Sequence, residues 1–369
     1  MTRGRLAILG SGETAPGMTK VHRALLDTLD HVDAVSLDTP YGFQENVPQM
    51  TEKLVEYFDI SLRTRLEPVS FTSYSASSAV DREVVRQRLD RATYVFAGPG
   101  SPSYALAQWG PLGLTDQLTG VIERGGVVCF ASAAALTLGQ FTLPVYEIYK
   151  VGEEPRWLDG LGLLGRLGLP CVVLPHYDNA EGGNHDTSCC YVGQRRYRAL
   201  EDLLPPGVAT FGVDEHTAAI VDFESGLVSV EGRGDAHWRT ADGDRVLTNG
   251  SVTPLSELVV VATTPTSVRV ENPDNRAGEE PIDLARRVEN RATGWESDLA
   301  RLVAMAATGG EGFIDPTALV EAVLEMRVRA RAAKDFAGAD ALRDALTESG
   351  IEIQDGPSGT TWHLRPRAE

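Results

Sequence analysis

The feature that most constrains the fold of this chain is an alternation of short apolar runs with segments of helical spacing. Four apolar runs occupy residues 6–9, 34–37, 94–97 and 127–130, and each ends in small or turn-forming residues. Runs that are apolar throughout are typical of parallel strands buried on both faces. Segments with helical spacing, which supply the crossovers, occupy residues 80–89, 114–123 and 197–204. We therefore predict an α/β fold, a three-layer sandwich with a mostly parallel sheet.

The composition favours a soluble globular protein. Hydrophobic residues make up 42% and charged residues 23% of the 369-residue chain, which disfavours disorder and fibrous repeats. The net charge of −18 argues against broad binding of nucleic acid or anionic lipid. The amino-terminal apolar run is too short for a signal peptide, and no stretch has the roughly 20 apolar residues of a membrane helix. We expect a cytoplasmic protein with no membrane contact, whose four cysteines are reduced thiols.

Changes in sequence texture predict three segments. Residues 1–265 hold the α/β pattern and close with alternating strands and turn signals, which predict antiparallel hairpins over residues 217–247 and a last strand at 258–263. Residues 266–314 begin as a polar, proline-punctuated linker and continue as a helix. Residues 315–369 form a small α+β module.

Within that last module, a helix is predicted to begin at Asp335 and to stop at Gly350. Its apolar face is expected to hold Phe336, Ala339, Leu342 and Leu346. A small hairpin follows, with strands at residues 351–353 and 361–364.

The sharpest chemical signal is the turn around Ser132. A strand at residues 127–130 passes abruptly through small residues into a helix, which is the pattern of a nucleophile elbow. A serine hydroxyl is a weak nucleophile and needs a base, an orienting group and amide donors for the oxyanion. The alternative is that Ser132 merely caps or packs the first turn of the helix.

Candidates for the other parts follow neighbouring strands. His176 comes directly after an apolar run at residues 172–175 and is a candidate base. Glu215 precedes a strand and is a candidate orienter of the imidazole, although Asp214 and His216 beside it are alternatives. The amides of Gly100 and Ala133 are candidates for an oxyanion hole. A histidine such as His176, taken alone, is more often a satisfied polar residue than a base, but its order after Ser132 favours the base.

The segment 176–190 is rich in acids, histidines and cysteines but matches no closed zinc motif, so no metal site is predicted. Asp178 and Glu181 are candidate substrate-binding residues that favour a cationic group. The glycines at 10 and 12 predict a tight turn at a strand end, because the third glycine and the lysine of a phosphate loop are missing. Hydrolysis by a serine nucleophile requires no cofactor, and none is predicted.

The order of these motifs resembles a known family. Gly98-Pro99-Gly100-Ser101, Ala131-Ser132-Ala133, Pro175-His176-Tyr177 and Asp214-Glu215-His216 are similar to the serine peptidase family that contains aspartyl dipeptidase and cyanophycinase, and most of all to its uncharacterised amidotransferase-like members. The resemblance covers residues 1–265 and implies a class I glutamine amidotransferase-like fold. It implies Ser132 as nucleophile, His176 as base, Glu215 as its orienter, and Gly100 and Ala133 at the oxyanion hole.

Two positions depart from that pattern. The family has a small residue two before the serine and glycine two after it, where this chain has Phe130 and Ala134. Phe130 is expected to crowd the elbow or to narrow the substrate pocket. The cysteine elbow of true glutamine amidotransferases is absent from the sequence, which argues against glutamine hydrolysis by a thiolate.

The end of the chain resembles a different family. The run at residues 329–346, with its continuation at 350–355 and 359–362, is similar to the carboxy-terminal end of cysteinyl-tRNA synthetases. The catalytic motifs of those enzymes are missing, so this chain is not expected to charge tRNA. The resemblance implies a weak contact of residues 315–369 with tRNA or a protein, with a basic stripe formed by Arg327, Arg329, Arg331 and Lys334. Seven basic against ten acidic residues give the segment a net charge of −3, so a module that only packs within the protein is the alternative.

These observations lead to one expected function and two alternatives. The expected function is a serine hydrolase of the peptidase or amidase type that acts on a small peptide or amino-acid conjugate. The first alternative is a catalytically silent binding protein whose tail docks tRNA or a protein partner. The second is a hydrolase of aminoacyl or peptidyl esters that the tail delivers.

Overall fold

The computed structural model describes residues 4–258 and, near the end of the chain, residues 323–324, 327, 330–331, 336–348, 351–356 and 359–364. The chain divides into two compact units, Met1–Thr264 and Pro265–Glu369. The predicted linker and helix at 266–314 lie outside the described residues, as does the predicted strand at 258–263 except for Leu258.

The first unit is built on an eight-stranded sheet. In chain order its strands are β1 (Arg5–Leu9), β2 (Ala34–Leu37), β3 (Leu66–Val69), β4 (Tyr94–Ala97), β5 (Val127–Ala131), β10 (Thr217–Asp222), β11 (Leu227–Gly232) and β14 (Val252–Pro254). Their order across the sheet is β14-β11-β10-β1-β5-β4-β2-β3. The five strands from β1 to β3 are parallel, and the other three continue the sheet as antiparallel neighbours.

A second sheet has four strands, which are β8 (Cys171–Leu174), β9 (Ala209–Val213), β12 (Ala236–Thr240) and β13 (Gly243–Leu247). Their order across the sheet is β13-β12-β9-β8. A two-stranded ribbon pairs β6 (Phe141–Thr142) with β7 (Leu158–Asp159). The chain passes from the four-stranded sheet to the eight-stranded sheet through residues 214–216, between β9 and β10. Glu215 therefore lies in the segment that connects the two sheets.

Helices cover both faces of the large sheet. They are α1 (Pro16–Leu26), α2 (Val47–Tyr57), α3 (Ala79–Arg91), α4 (Pro102–Leu112), α5 (Leu114–Glu123), α6 (Ser132–Leu136), α7 (Leu163–Arg166) and α8 (Gly193–Glu201). Alternate residues of β5 face opposite layers: Val128 and Phe130 join the core that contains α3 to α5, and Cys129 joins the core that contains α1. This burial on both faces explains why the central strands are apolar throughout.

The predicted fold class is confirmed: this is an α/β protein with a large, mostly parallel sheet flanked by helices. The antiparallel hairpins expected over residues 217–247 are present as β10–β11 and β12–β13. The helix predicted at 197–204 is shifted, because α8 begins at Gly193 and ends at Glu201. Strand β3 was not predicted, since Glu67 and Pro68 interrupt its apolar pattern; the strand lies at the edge of the sheet, where proline is tolerated.

The second unit contains a helix and a hairpin. Helix α9 (Phe336–Glu348) buries Ala339, Leu342 and Leu346, as the spacing predicts, but the side chain of Phe336 is 62% exposed and does not belong to the buried face. Strands β15 (Ile351–Gly356) and β16 (Gly359–Leu364) pair in antiparallel register, which confirms the predicted hairpin.

Among the helices of the described ranges, none combines the length and apolarity that crossing a bilayer requires.

Candidate active site

Ser132 lies at a sharp turn between β5 and α6. Its φ is +52°, a conformation that a residue with a Cβ adopts only when its surroundings enforce it. The flanking residues supply that constraint, since Ala133 and Ala134 are buried and the Ala134 amide donates to the Gly98 carbonyl at 3.2 Å. Ala134 is thus accommodated where the family pattern has glycine.

The expectation that Phe130 crowds this turn or narrows the pocket was wrong. Its fully buried ring contacts the ring of Trp109, with centroids 5.7 Å apart, in the core between the sheet and the helices α3 to α5. Phe130 is not among the residues that line the cavity at Ser132. Because the helices α3 to α5 cover this face of β5, the bulky ring two positions before the turn is packed in the core rather than at the cavity.

Three predicted residues lie in a hydrogen-bonded series. The Ser132 Oγ atom is 3.0 Å from His176 Nε2, and His176 Nδ1 is 2.8 Å from Glu215 Oε1. A carboxylate only accepts, so Nδ1 carries the proton toward Glu215 and Nε2 is left to accept from the serine hydroxyl. The arrangement is that of a nucleophile, a base and the group that orients the base.

The carboxylate of Glu215 has further partners. Its Oε1 atom accepts a hydrogen bond from Asn179 Nδ2 at 2.9 Å, and its backbone amide donates to Asp178 Oδ1 at 2.7 Å. Burial disfavours the charge on Glu215, but hydrogen bonds from His176 and Asn179, together with the favourable electrostatic effect of the nearby His176 and His216 imidazoles, outweigh burial and lower its pKa. Glu215 is therefore held as an anion against the imidazole.

The two alternatives to Glu215 have other contacts. Asp214 accepts hydrogen bonds from His237 Nε2 at 3.1 Å and from the Asp235 amide at 2.8 Å. The backbone amide of His216 donates to Ser11 Oγ at 3.1 Å. Of the three neighbouring residues, Glu215 is the one hydrogen-bonded to His176.

Gly100 and Ala133, the candidate oxyanion residues, line the same cavity as Ser132. Gly100 has a φ of +149°, and a Cβ at this position would lie 1.9 Å from the Pro40 carbonyl oxygen. The next amide, that of Ser101, donates to the same oxygen at 2.7 Å. The loop that carries Gly100 is thus fixed against the chain that follows β2, and only glycine fits there.

The cavity at Ser132 has a volume of about 430 Å³. Its walls combine the residues above with three tyrosines, one lysine and one glutamate: Tyr146, Tyr149, Tyr191, Lys150 and Glu181. Lys150 Nζ lies 4.5 Å from the centre of the Tyr149 ring. A cleft of this size accommodates a small peptide or amino-acid conjugate.

The predicted substrate-binding acids differ in position. Glu181 lines the cleft, whereas Asp178 does not line it and bonds instead to the Glu215 amide, so Asp178 supports the orienting residue rather than facing a substrate. Asp186 is engaged with Ser188 and with the Gln194 amide. Within the described part of the chain, no group of three or more His, Cys, Asp and Glu is placed to hold a metal ion.

Two residues of this site were missed by the sequence analysis. Asn179 is buried and donates a hydrogen bond to Glu215. It lies three residues after His176, and no sequence motif distinguishes it from the neighbouring polar residues. The ring of Tyr191 lies 5.2 Å from that of His176, on a backbone stretch in which Cys189, Cys190 and Tyr191 all have positive φ. Burial and the charges of Glu181 and Glu215 raise the pKa of Tyr191, so it remains a neutral phenol beside the base.

Comparison with solved structures gives the class of fold. A peptidase from an acI-B1 Actinobacterium superposes with a TM-score of 0.55 at 18% identity, over 69% of this chain and 97% of the other. The likeness shows that the two chains share a fold, and it confirms the peptidase-like fold expected for the first unit.

The end of the chain matches a different group. Residues 315–362 match the cysteinyl-tRNA ligase anticodon binding domain. The cysteine–tRNA ligase of Bifidobacterium longum is 60% identical over 48 residues, which are 13% of this chain and 9% of the ligase. That of Shewanella baltica is 53% identical over 56 residues, 15% of this chain and 12% of the ligase. The resemblance expected for the tail is confirmed, and it spans about a tenth of the ligases.

Proposed function

We propose that this chain is a serine hydrolase of the peptidase or amidase type, which cleaves an amide or ester bond of a small peptide or amino-acid conjugate. The observation that carries the proposal is the pair of contacts of His176, at 3.0 Å to Ser132 Oγ and 2.8 Å to Glu215 Oε1. The first distance lies within the range over which a base removes a proton from a nucleophile, and the second within the range over which a carboxylate orients that base.

The geometry supports a sequence of proton transfers. As the Ser132 oxygen attacks the carbonyl carbon, His176 Nε2 takes the hydroxyl proton, and Glu215 stabilises the imidazolium through Nδ1. The carbonyl oxygen becomes an oxyanion, for which the Gly100 and Ala133 amides are the candidate donors. His176 then returns the proton to the leaving group, and water releases the acyl group by the same route.

Labelling with a fluorophosphonate probe tests the proposal. The probe forms a bond between its phosphorus and an activated serine oxygen with loss of fluoride, so it reports the nucleophile without knowledge of the substrate. We expect the full-length protein to be labelled once, at Ser132, and Ser132→Ala not at all. An unlabelled wild-type protein, or equal labelling of Ser132→Ala, would contradict the proposal.

A second candidate function, binding of tRNA by the tail, is favoured by the match at residues 315–362. The predicted basic stripe needs one correction, because Arg327 is only 3% exposed and belongs to the interior; Arg331 is exposed, while Arg329 and Lys334 lie outside the described residues. The net charge of −3 for residues 315–369 predicts weak, salt-sensitive binding.

Filter retention of labelled tRNA tests this second candidate. The full chain is compared with one that ends at Gly310, at low and at physiological salt. We expect retention by the full chain that falls as salt rises and that the shorter chain lacks. Equal retention by both chains would remove the tail as a tRNA contact.

A further inference from the structure

A second cavity, of about 390 Å³, lies next to the cleft that contains Ser132. Its walls are largely apolar and aromatic, with one carboxylate and one ammonium group, and they include Glu13, Lys53, Leu54, Tyr57, Phe96 and Pro99. Pro99 lines both cavities, so the loop that carries the candidate oxyanion residue Gly100 separates the two. The two cavities are therefore neighbours at Pro99.

The sheet topology brings Glu13 to the nucleophile. Strand β1 is the parallel neighbour of β5, and Leu9 is the register partner of Ala131, the residue before Ser132. The chain that leaves β1 therefore emerges beside the nucleophile, and Glu13 follows four residues after Leu9. This loop is fixed, because His22 Nε2 donates to the Glu13 carbonyl at 2.8 Å and Ser11 Oγ accepts from the His216 amide.

The carboxylate of Glu13 makes no salt bridge and no hydrogen bond to another residue within residues 4–258. Lys53 lines the same cavity but forms no ion pair with it. Burial raises the pKa of Glu13, and a hydrogen bond with its own backbone and the electrostatic effect of the His176 and His216 imidazoles only partly oppose burial. Leaving a half-buried carboxylate unpaired beside an active site costs stability, and a ligand cation would remove that cost.

Glu13 is not required to hold the base. Both ring nitrogens of His176 already have partners, Ser132 on Nε2 and Glu215 on Nδ1. A second carboxylate near the same imidazole is therefore unexplained by the triad alone. Its chemistry fits a group that arrives with the substrate.

We propose that Glu13 and the second cavity form a subsite for an alkylammonium group of the substrate, so that the preferred substrates carry a positive charge close to the scissile carbonyl. The aromatic and aliphatic walls contact the hydrocarbon part, and the Glu13 carboxylate accepts the ammonium hydrogen bonds. The inference rests on the proposed hydrolase function and specifies its substrate class. The ammonium is either the free amino terminus of a peptide or the end of a basic side chain, and the test separates these two sources.

The test uses aminoalkylphosphonate diphenyl esters, which modify an activated serine by forming an Oγ–P bond with loss of phenol. Norleucine-type and lysine-type probes are each prepared with a free and an acetylated α-amine. The measured quantity is the ratio of second-order modification rates, charged to uncharged probe, determined for each protein by intact mass. Because the ratio is taken within one protein, overall changes in reactivity cancel.

We expect a wild-type ratio of about 10 or more, the effect of one charge-assisted hydrogen bond, and a ratio below about 3 in Glu13→Gln. Preference for free over acetylated norleucine identifies the α-ammonium, and preference for acetyl-lysine over acetyl-norleucine identifies the side chain. Glu13→Asp keeps the charge and is expected to retain part of the preference. Glu56→Gln, which removes an exposed carboxylate of α2 outside the cavity, is the matched control and should retain the full wild-type ratio.

A wild-type ratio near 1, or an equal ratio in Glu13→Gln, would overturn the subsite while fluorophosphonate labelling of Ser132 remained. Absence of fluorophosphonate labelling would instead remove the hydrolase function, and the subsite with it. The two failures are thus distinguishable in the same experiment.

Discussion

Glu215 Oε1 accepts two hydrogen bonds at once, from His176 Nδ1 at 2.8 Å and from Asn179 Nδ2 at 2.9 Å. The second bond fixes the carboxylate at the position where it can orient the imidazole. The position of Glu215 is also restrained along the backbone, through the bond of its amide to Asp178. Glu215 is therefore held at three points, two on its carboxylate and one on its backbone amide.

Replacement of Glu215 by glutamine tests its role. Glu215→Gln keeps the shape but removes the charge that stabilises the imidazolium, so we expect the rate of fluorophosphonate labelling to fall by about 10³-fold or more. Asp214→Asn is the control, because the Asp214 carboxylate bonds to His237 and Asp235 rather than to His176. Comparable losses in the two variants would show that Glu215 has no special relation to the base.

The lowered pKa of Glu215 also predicts a pH effect on stability. In the unfolded chain this carboxyl is protonated near its ordinary pKa of about 4.3, whereas in the folded chain its pKa is lower, so it is protonated only at a lower pH. The unfolded state then binds more protons in that interval, so this contribution is complete above the ordinary value and is lost as pH falls through the folded value. Urea unfolding of wild type and Glu215→Gln between pH 6 and pH 3 should show their difference shrinking with acid. A difference that grows with acid would contradict the assignment.

Alkylation of thiols separates a serine enzyme from a thiol enzyme. All four cysteines are free and buried, and burial raises the pKa of Cys129 to about 12 and that of Cys189 to about 11. Thiols of this kind are poor nucleophiles, because the thiolate is the reactive form. We expect iodoacetamide at pH 8 to leave fluorophosphonate labelling of the native protein unchanged and to modify the cysteines only after unfolding. Loss of labelling in step with alkylation of the native protein would point to a thiol.

The elements that the sequence predicts well are those decided by local pattern. The strand at residues 94–97 and the helix at 114–123 have the predicted bounds, because an apolar run or a periodic face does not depend on distant residues. Ser132 was identified for the same reason, since the change from strand to helix is visible in the adjacent residues. The candidate nucleophile, base and orienter were predicted because each lies next to the end of a predicted strand.

Other features depend on contacts between distant parts of the chain. The importance of Glu13 follows from the pairing of β1 with β5, which no local pattern reveals. The approach of Tyr191 to His176 requires three successive non-glycine residues with positive φ, a conformation that their sequence does not favour. Phe130 lies outside the cavity at Ser132 because the Trp109 ring packs against the same face of β5, and the local sequence does not reveal this packing.

Truncation of Phe130 tests that last conclusion. Phe130→Ala leaves a cavity beside Trp109, so we expect the free energy of unfolding to fall by about 3–5 kcal/mol in urea titrations. The ring lies outside the cleft, so the folded variant should label with fluorophosphonate at nearly the wild-type rate. Phe43→Ala, at a side chain that is 53% exposed, is the size-matched control and should cost under about 1 kcal/mol. Faster labelling of Phe130→Ala would restore the idea that the ring restricts the elbow.

The tautomer of His22 is determined by its partners. Its Nε2 atom is 2.8 Å from the Glu13 carbonyl oxygen, which only accepts, so Nε2 carries the proton. Its Nδ1 atom is 2.7 Å from the Tyr94 hydroxyl and therefore accepts from it. A proton added to Nδ1 would face that hydroxyl in a fully buried site.

Because His22 must stay neutral, it predicts loss of stability in mild acid. Burial, only partly opposed by the bond to Glu13, lowers its pKa to about 4, while the unfolded chain protonates near 6.5. The unfolded state thus binds more protons as pH falls from 6.5 toward 4, and the loss reaches at most about 3 kcal/mol. His22→Gln keeps a donor and an acceptor but does not titrate, so its stability in urea should fall less than that of wild type between pH 7 and pH 4. Exposed His31→Gln should follow wild type; equal acid sensitivity of His22→Gln and wild type would contradict the neutral assignment.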